Sequence, residues 1–375
     1  MLGLYSGVRQ RTVPCPELQC QEGGFMCWKV EQDEKSLKEV FQYPDMTFPF
    51  FVWPDLYNLF FDHMVDAHWH YDFEFSYVAS GALDYYINDT YLRLGPGDCV
   101  FVNSNMLHLI RQPDDCDSAI VLTMAFPTTL LAPDSSSTLY EKYFQPIIGN
   151  QLEGFKISSG HPLGQEMAAL MDELLGIVYP AFILTSDTVS APYKRYHQQL
   201  LDNHLDNLAT DSGNKISPDA VARIRKNAEE GLAFGYELEC MKRVIQFILL
   251  TIKYIEGNNS GLFWRTGSLA SIERARGVLA YMHANFHKKI TVEDLAKDLG
   301  ISRSECFRCF KRFTGKKPIE YLNDYRMLKA AQLIRETETS ITGISERCGF
   351  ESASYFSKVF KEKYSVTPLQ YRRLG

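Results

Sequence analysis

The sequence predicts a multidomain α+β protein: a strand-rich N-terminal barrel or sandwich, a helical middle and an all-α C-terminal third. Three observations carry that prediction. First, 375 residues exceed one comfortable core, and 45% hydrophobic with 23% charged residues is a globular balance that excludes wholesale disorder. Second, short aromatic and β-branched runs between turn signals fill Phe48 to Phe126, and apolar steps of three and four take over near Gly160. Third, the charge is split. From Ser271 onward there are 20 Lys+Arg and 12 Asp+Glu, a net of +8, against −15 for the rest of a chain whose overall net is −7. A basic third on an acidic body makes nucleic acid the first candidate partner.

The nine cysteines are scattered without a CxxC pair, which speaks against a zinc ribbon or a secreted disulfide framework. The start, MLGLYSGVRQRTVPC, lacks the apolar core of a signal peptide. The most apolar stretch, Ile245 to Ile255, is interrupted by Gln246 and Lys253 and is too short for a bilayer. The expectation is a cytoplasmic protein with reduced thiols and no membrane partner.

Taken in order, the first 45 or so residues carry little pattern and read as an irregular lead-in. Tyr85 to Leu92 reads as a hairpin, because Asn88-Asp89 tolerates the positive φ of a two-residue turn. Leu94-Gly95-Pro96-Gly97-Asp98 is a second tight turn, followed by a strand from Cys99 to Asn103. A helix then carries Met167, Leu170, Met171, Leu174 and Leu175, and 202–217 reads as a polar loop. Ser217-Pro218-Asp219 opens another helix with a capping serine and a first-turn proline. From Tyr236 a longer helix lays Leu238, Met241, Ile245, Ile248, Ile252 and Ile255 along one stripe. That stripe fits either packing inside its own domain or a seam between two chains. Gly257-Asn258-Asn259-Ser260-Gly261 then reads as a linker.

Beyond it the helices are short and well punctuated. Thr291 and Asp294 form a capping box, and the helix they open buries Val292, Leu295, Ala296 and Leu299 before stopping at Gly300. Ser302 to Glu305 opens the next helix, which presents Cys306, Cys309, Phe310 and Phe313 to a core. Arg303, Ser304, Phe307, Arg308 and Lys311 remain on other faces, free to enter a major groove. The plan recurs. A helix burying Ile341, Ile344 and Cys348 ends at Gly349. The next buries Phe356, Val359 and Phe360 and exposes Ser354, Ser357, Lys358 and Lys361. Between them a helix from Pro318 to Glu336 acts as a strut, with Ile319, Leu322, Tyr325, Leu328 and Leu333 buried. Each unit is a helix-turn-helix.

With those residues in view, the segment from about Ser271 to Arg373 closely resembles the AraC/XylS DNA-binding domain. The matching stretches are ITVEDLAKDLGISRSECFRCFKRFTGKKPIEYLNDYRMLKAAQLI and SITGISERCGFESASYFSKVFKEKYSVTPLQYRR. The resemblance implies base reading by Ser304, Phe307 and Arg308 in the first unit and by Ala353, Ser354, Ser357 and Lys358 in the second. Phe307 departs from the small or polar residue common there, and Ala353 has no hydrogen-bonding side chain. The first unit is therefore expected to read sequence and the second mainly to position the backbone.

His68-Trp69-His70-Tyr71-Asp72-Phe73-Glu74, followed by Gly81, resembles the first cupin signature, and His108 sits where the second supplies its histidine. On one strand His68, His70 and Glu74 would project the same way. Asn103, Asn105 and Gln112 depart from the second signature. Three histidines and a carboxylate suit a first-row metal, as in a dioxygenase or isomerase; AraC-type sensor domains keep such groups as structural or ligand contacts; and plain core histidines are a third reading. The expectation taken forward is a cupin-like barrel with a small-molecule pocket at His68, His70, Glu74, Tyr86 and His108, without metal or cofactor. Tyr77, Tyr85, Tyr86, Trp53 and Trp69 point to a carbohydrate effector, since aromatic rings stack on sugars.

The domains expected are a cupin-like effector-binding domain over 1–155, with the lead-in at 1–45; a helical linker and dimerisation segment over 156–262; and an AraC-type DNA-binding domain over 263–375. The function implied is a homodimeric regulator, an activator that contacts promoter DNA and RNA polymerase and responds to a small molecule. The rival is a metal-dependent cupin enzyme with a basic tail.

Overall fold

A computed structural model describes residues 37–374 except 42, 58–59, 61–62, 150, 186–193, 196, 199–200, 203–216, 258–260, 265–268 and 299. The expected polar loop at 202–217 therefore lies almost wholly outside the described residues, as do most of the lead-in and the centre of the expected linker. Contacts divide the described chain into two compact units, 37–285 with 290–321, and 286–289 with 322–374.

The first unit is built on two antiparallel sheets. Its strands are β1 Phe51–Leu56, β2 Met64–His68, β3 Phe73–Ser80, β4 Leu83–Ile87, β5 Thr90–Leu94, β6 Cys99–Val102, β7 His108–Arg111, β8 Ile120–Phe126, β9 Leu152–Ile157 and β10 Leu262–Trp264. One sheet runs β1-β8-β3-β6-β9-β10 and the other β2-β7-β4-β5. Leu83, Tyr85, Ile87, Leu94 and Ile110 of the smaller sheet pack on Val78, Val100, Val102 and Val121 of the larger. The expected hairpin is present: β4 and β5 pair through the Asn88-Asp89 turn, with Asn88 at φ 47°. Gly81, between β3 and β4, has φ +77°, and a side chain there would press its Cβ to 2.0 Å from the Ser118 carbonyl oxygen.

Strand β3 is covered on both sides. Phe75 packs on Phe101 and, through a 4.6 Å edge contact, on Phe247, while Val78 joins the core between the sheets. Phe247 belongs to the longest helix of this unit. The helices are α1 Gln145–Gly149, α2 Pro162–Val178, α3 Ala181–Thr185, α4 Pro218–Glu230, α5 Tyr236–Glu256, α6 Leu269–Asn285, α7 Val292–Asp298 and α8 Arg303–Thr314. Helix α2 buries Met167, Met171, Leu174 and Leu175 as expected, with Leu170 half-buried. Helix α4 starts at Ser217, whose Oγ accepts from Ala220 N at 3.1 Å.

One pair of alternatives is narrowed and one expectation is corrected. The inward face of α5 is Cys240, Val244, Phe247, Ile248, Thr251 and Tyr254. Of the sequence stripe only Ile248 is buried; Met241, Ile252 and Ile255 are half-buried, and Leu238 and Ile245 are 72% and 45% exposed. Helix α5 has two apolar faces, and hydrophobicity alone did not tell which meets the sheet. The expected linker does not lead straight into the C-terminal helices, because Leu262–Trp264 returns to the large sheet and pairs antiparallel with β9.

In the second unit the remaining helices are α9 Pro318–Glu336, α10 Ile341–Arg347, α11 Ala353–Tyr364 and α12 Pro368–Leu374, the first turn of α9 belonging to the first unit. Ser340 and Ser352 cap α10 and α11 by accepting from Gly343 N and Tyr355 N, and Gly349 takes φ +75° at the turn between them. Ile344, Cys348, Phe356, Phe360 and Tyr371 are buried; Ile341 and Val359, expected inside, are half-buried. On α9 Leu322 and Tyr325 are buried as expected, but Met327, Ala330, Ala331 and Ile334 are buried with them, whereas Ile319, Leu328 and Leu333 are half-buried. Small residues buried best here, which an apolar stripe of large ones does not announce. Arg326 ties α9 to the preceding turn by donating to the carbonyl oxygens of Phe286 at 2.8 Å and Lys288 at 2.6 Å.

A half-buried carboxyl gives the first unit a distinctive pH response. Asp55 accepts from Thr123 Oγ1 at 2.8 Å and Trp53 Nε1 at 3.0 Å, yet burial pushes its pKa from 3.8 to about 7. The folded state thus holds a proton that the unfolded chain releases. Its contribution to stability is full below about pH 4 and is lost as the pH rises to about 7. At about 1.4 kcal/mol per pH unit this amounts to a few kcal/mol at most. Asp55→Asn cannot ionise, so urea unfolding should show the variant gaining about 1–3 kcal/mol relative to wild type between pH 4.5 and 7.5. A pH-independent difference would mean that Asp55 is charged in the fold.

Candidate effector pocket and nucleic-acid faces

The residues His68 to Glu74 do not form one strand. Strand β2 ends at His68, the chain turns at Tyr71-Asp72, and β3 begins at Phe73. The corner nevertheless achieves what a single strand would have done. His68, His70, Glu74 and His108 are all buried, each with a nitrogen or carboxylate oxygen within 4.8 Å of the others. His68 and His108 face each other across the β2–β7 pair, with ring centroids 4.0 Å apart.

Backbone carbonyls orient all three imidazoles. Nδ1 of His68 lies 2.8 Å from the Asp66 oxygen, that of His70 3.1 Å from Asp72, and that of His108 2.9 Å from Met106. A carbonyl can only accept, so each Nδ1 carries a proton and each ring turns its Nε2 inward. There His70 Nε2 and His108 Nε2 stand 3.4 and 3.5 Å from Glu74 Oε2. Among the described residues, His70 Nε2, His108 Nε2, Glu74 Oε1 and Glu39 Oε2 are buried without a hydrogen-bond partner.

The charges follow from this crowding. Burial, then the neighbouring His108 and His70, push the His68 pKa well below its usual value, so the ring is neutral at pH 7. Burial opposes ionisation of Glu74, but His108 and His70 outweigh it and hold the carboxyl well below the carboxylate range. Burial also depresses His70, yet the hydrogen bond and charge of Glu74, with Asp72 and Glu39, leave its pKa raised.

Glu39 escaped the sequence reading of this cluster, Tyr85 was read only as an aromatic surface, and Tyr86 was expected here but lies elsewhere. Glu39 comes from the patternless lead-in. Its N–H donates to the Trp69 carbonyl at 2.8 Å, which brings its carboxylate 3.3 Å from His68 Nε2, and burial pushes its pKa up to about 7. Tyr85 is fully buried and close enough to Ser76 and Glu74 for both to shift its hydroxyl. Tyr86, the expected pocket residue, points the opposite way on β4. It meets Tyr91 and Arg111 on the outer face, because adjacent strand residues alternate. The remaining aromatics are dispersed as well. Trp53 stacks on Phe51, and Trp69 carries the Arg276 guanidinium 4.5 Å above its ring.

The helix-turn-helix faces are organised as the sequence implies. Thr291 and Asp294 cap α7 reciprocally, Gly300 takes φ +63°, and Ser302 Oγ accepts from Glu305 N at the start of α8. Cys306, Phe310 and Phe313 are buried; the side chain of Cys309 lies outside the described residues. Arg303, Ser304, Arg308 and Lys311 are exposed and Phe307 is half-buried under the Arg303 guanidinium. Arg303 also pairs with Glu293 at 2.7 Å. On α11, Ser354, Lys358 and Lys361 are exposed and Ala353 and Ser357 half-buried. Tyr355, 55% exposed on the same helix, was not anticipated; an aromatic outside the apolar spacing was the available signal.

The barrel also holds the first of these units. Arg312 of α8 forms an ion pair with Asp89 of the hairpin turn. Tyr321 donates to Asp66 Oδ1 at 2.7 Å, and Arg276 of α6 donates to Asn105 Oδ1 at 3.1 Å. Asp66 lies two residues before His68 on β2. Among the described residues no helix is long and apolar enough to cross a membrane.

Comparison with known proteins agrees with both regions. An AraC-like ligand binding domain matches residues 60–204, and a helix-turn-helix domain matches 295–374. The chain is 25% identical over 342 residues to an uncharacterized HTH-type transcriptional regulator, YdeC, of Bacillus subtilis, covering 91% of this chain and 98% of that one. It is 31% identical over 158 residues to the lactose operon transcription activator of Staphylococcus xylosus, covering 37% of this chain and 57% of that one. It is 33% identical over 100 residues to the transcriptional activator RhaS of Enterobacter sp., covering 27% and 36%. Among solved structures, the DNA-binding domain of AdpA in complex with a target DNA is 29% identical, with a TM-score of 0.26 over 27% of this chain and 90% of that one. ToxT from Vibrio cholerae is 14% identical, with a TM-score of 0.34 over 86% and 98%.

Proposed function

Because this chain belongs to the AraC family of helix-turn-helix transcriptional regulators, with an AraC-like ligand-binding domain, we propose that it is a cytoplasmic, homodimeric activator whose barrel takes its effector at His68, His70, Glu74 and His108. It is a DNA-binding regulator and not an enzyme, which sets aside the cupin-enzyme rival. The observation that carries the reading is the pair of capped helix-turn-helix units, each leaving a basic recognition face exposed. Activation through RNA polymerase is supported by relatives named as activators, which match 37% and 27% of this chain. Nothing in the dispersed aromatics favours a sugar over another small molecule.

Base reading falls to Ser304, Phe307 and Arg308, with Arg303 and Lys311 on the phosphates; Ala353, Ser354, Ser357, Lys358 and Lys361 mainly position the second unit. Arg308→Ala should cost about 1–3 kcal/mol on the promoter site and relax preference at one base pair, as for an arginine bidentate to guanine. The check is binding of full-length protein to promoter and to random DNA at one salt concentration. An equal loss on both would move Arg308 to the backbone.

Dimerisation is assigned to the outer face of α5. Leu238, Ile245 and Leu249 are 72%, 45% and 55% exposed there, at helical spacing, and apolar groups so aligned gain by covering one another. Because they are not core, Leu238→Asp with Ile245→Asp should leave the fold intact and turn a sedimenting dimer into a monomer. A double variant that stays dimeric would place the dimer contact elsewhere.

Effector control is assigned to the contacts between barrel and first unit, with β2 as the shared element. Tyr321→Phe removes the hydrogen bond to Asp66 and should cost about 0.5–1.5 kcal/mol of stability. If that bond restrains the unit, promoter affinity of the ligand-free protein should rise several-fold. Unchanged affinity would show that the bond is only structural.

A further inference from the structure

Recognition helix α8 meets the barrel at its C-terminal end. Arg312, in the last turn, forms an ion pair with Asp89 at the tip of the β4–β5 hairpin. Gly315 caps the helix at φ +71° and lies against the same hairpin, where a Cβ would stand 2.8 Å from the Tyr86 ring. The C-terminal end of a helix dipole favours cations, so the guanidinium, not the helix, attracts the Asp89 carboxylate. Arg312 follows Arg308 by four residues, which places both on one stripe of α8, and both residues are exposed. Residues near the N-terminus of a recognition helix reach base edges. A cation one turn beyond Arg308 on that stripe comes level with the phosphates instead. Carboxylate and phosphate offer a guanidinium the same pair of acceptor oxygens.

We propose that Arg312 is a DNA-phosphate contact of the first unit, and that in the free protein Asp89 holds the place of the phosphate. The proposal rests on the regulator reading and deepens it, because hairpin and DNA backbone then compete for one guanidinium. Tyr321 and Arg276 also hold the first unit to the barrel, but neither lies on α8, so the Asp89 pair bears more directly on groove entry. The hairpin tip is in turn fastened to the histidine cluster. Asn88 N donates to the Leu107 carbonyl oxygen at 2.7 Å, and Leu107 N donates to Asn88 Oδ1 at 3.2 Å, one residue before His108. A ligand that displaces His108 therefore moves the backbone on which Asp89 sits, and sets how readily Arg312 is released to DNA.

The test measures the full chain, without added effector, on two DNA duplexes over a series of salt concentrations. One duplex has random sequence; the other is enriched from a random pool by the wild-type protein. Asp89→Asn keeps the size of the side chain and suits a hairpin turn, but removes the charge. It should tighten binding to both duplexes about 2–5-fold, the scale of a partly exposed ion pair. Adding Arg312→Gln should cancel that gain and lower the slope of log affinity against log salt by about 0.9, as for one lost phosphate contact. Arg312→Gln alone should show the same loss of slope, which keeps the test open should Asp89→Asn fail to fold by circular dichroism. Asp115→Asn makes an equal change of net charge on the barrel, at a carboxylate 2.6 Å from Arg93, and should not tighten binding. Affinity that is unchanged or weakened by Asp89→Asn, a gain that survives Arg312→Gln, or an equal gain from Asp115→Asn overturns the proposal. A gain on the enriched duplex alone does so too, because phosphates are common to both, and so does an unaltered slope in Arg312→Gln. A wild-type chain that binds neither duplex at low salt faults the regulator reading itself. One that binds both and ignores the Asp89 and Arg312 substitutions faults only this proposal.

Discussion

Strand β3 has no face left to water, and much of the first unit follows from that. Phe73 and Phe75 must meet apolar partners on one side, which Phe101, Phe126 and Phe247 supply. The opposite side points between the sheets, so Glu74 enters a space that would reject an isolated carboxylate. It is tolerated there because β2 and β7 deliver imidazoles to the same end. Pairing of the strands, docking of α5 and the chemistry of the cluster are therefore one problem, solved at once around eight residues.

Legibility in the sequence divided along the range of the interactions concerned. Local rules worked. The hairpin at Asn88-Asp89, the capping serine at 217, the helix start at Ser302 and the helix end at Gly349 were all readable, because each is decided by two to four neighbouring residues. The four-residue constellation was readable through its spacing, although the reason given, one continuous strand, was wrong. What could not be read were choices settled at a distance. Glu39 joins the cluster only because its backbone pairs with Trp69, thirty residues on. Tyr85 and Tyr86 are chemically equivalent in the sequence, and only the register of β4 against β7 decides which faces inward. The α5 stripe admits both inward packing and an outer seam for a similar reason, since both faces carry enough apolar residues to satisfy a helical period.

The recognition helices show a related economy. Phe310 and Phe313 on α8, and Phe356 and Phe360 on α11, are spent on holding each helix to its own core, so the polar groups between them need no internal partner. Arg303 nevertheless pairs with Glu293, and Arg312 is drawn to Asp89 at the tip of the barrel hairpin. A helix that must both read a groove and answer to a sensor needs some cations facing each way, and α8 distributes them around its circumference.

Strand β10 has a consequence for anyone dividing this protein. Leu262–Trp264 closes the flank of the large sheet along β9. A fragment ending at Gly261 would bare that flank as a row of unpaired amide and carbonyl groups, which invites a second molecule to supply the missing strand. A fragment beginning there would carry three residues, two of them aromatic, torn from their pairing with β9. Chimaeras that exchange sensors between regulators of this kind should therefore be joined after Trp264, where the sheet keeps its selvedge.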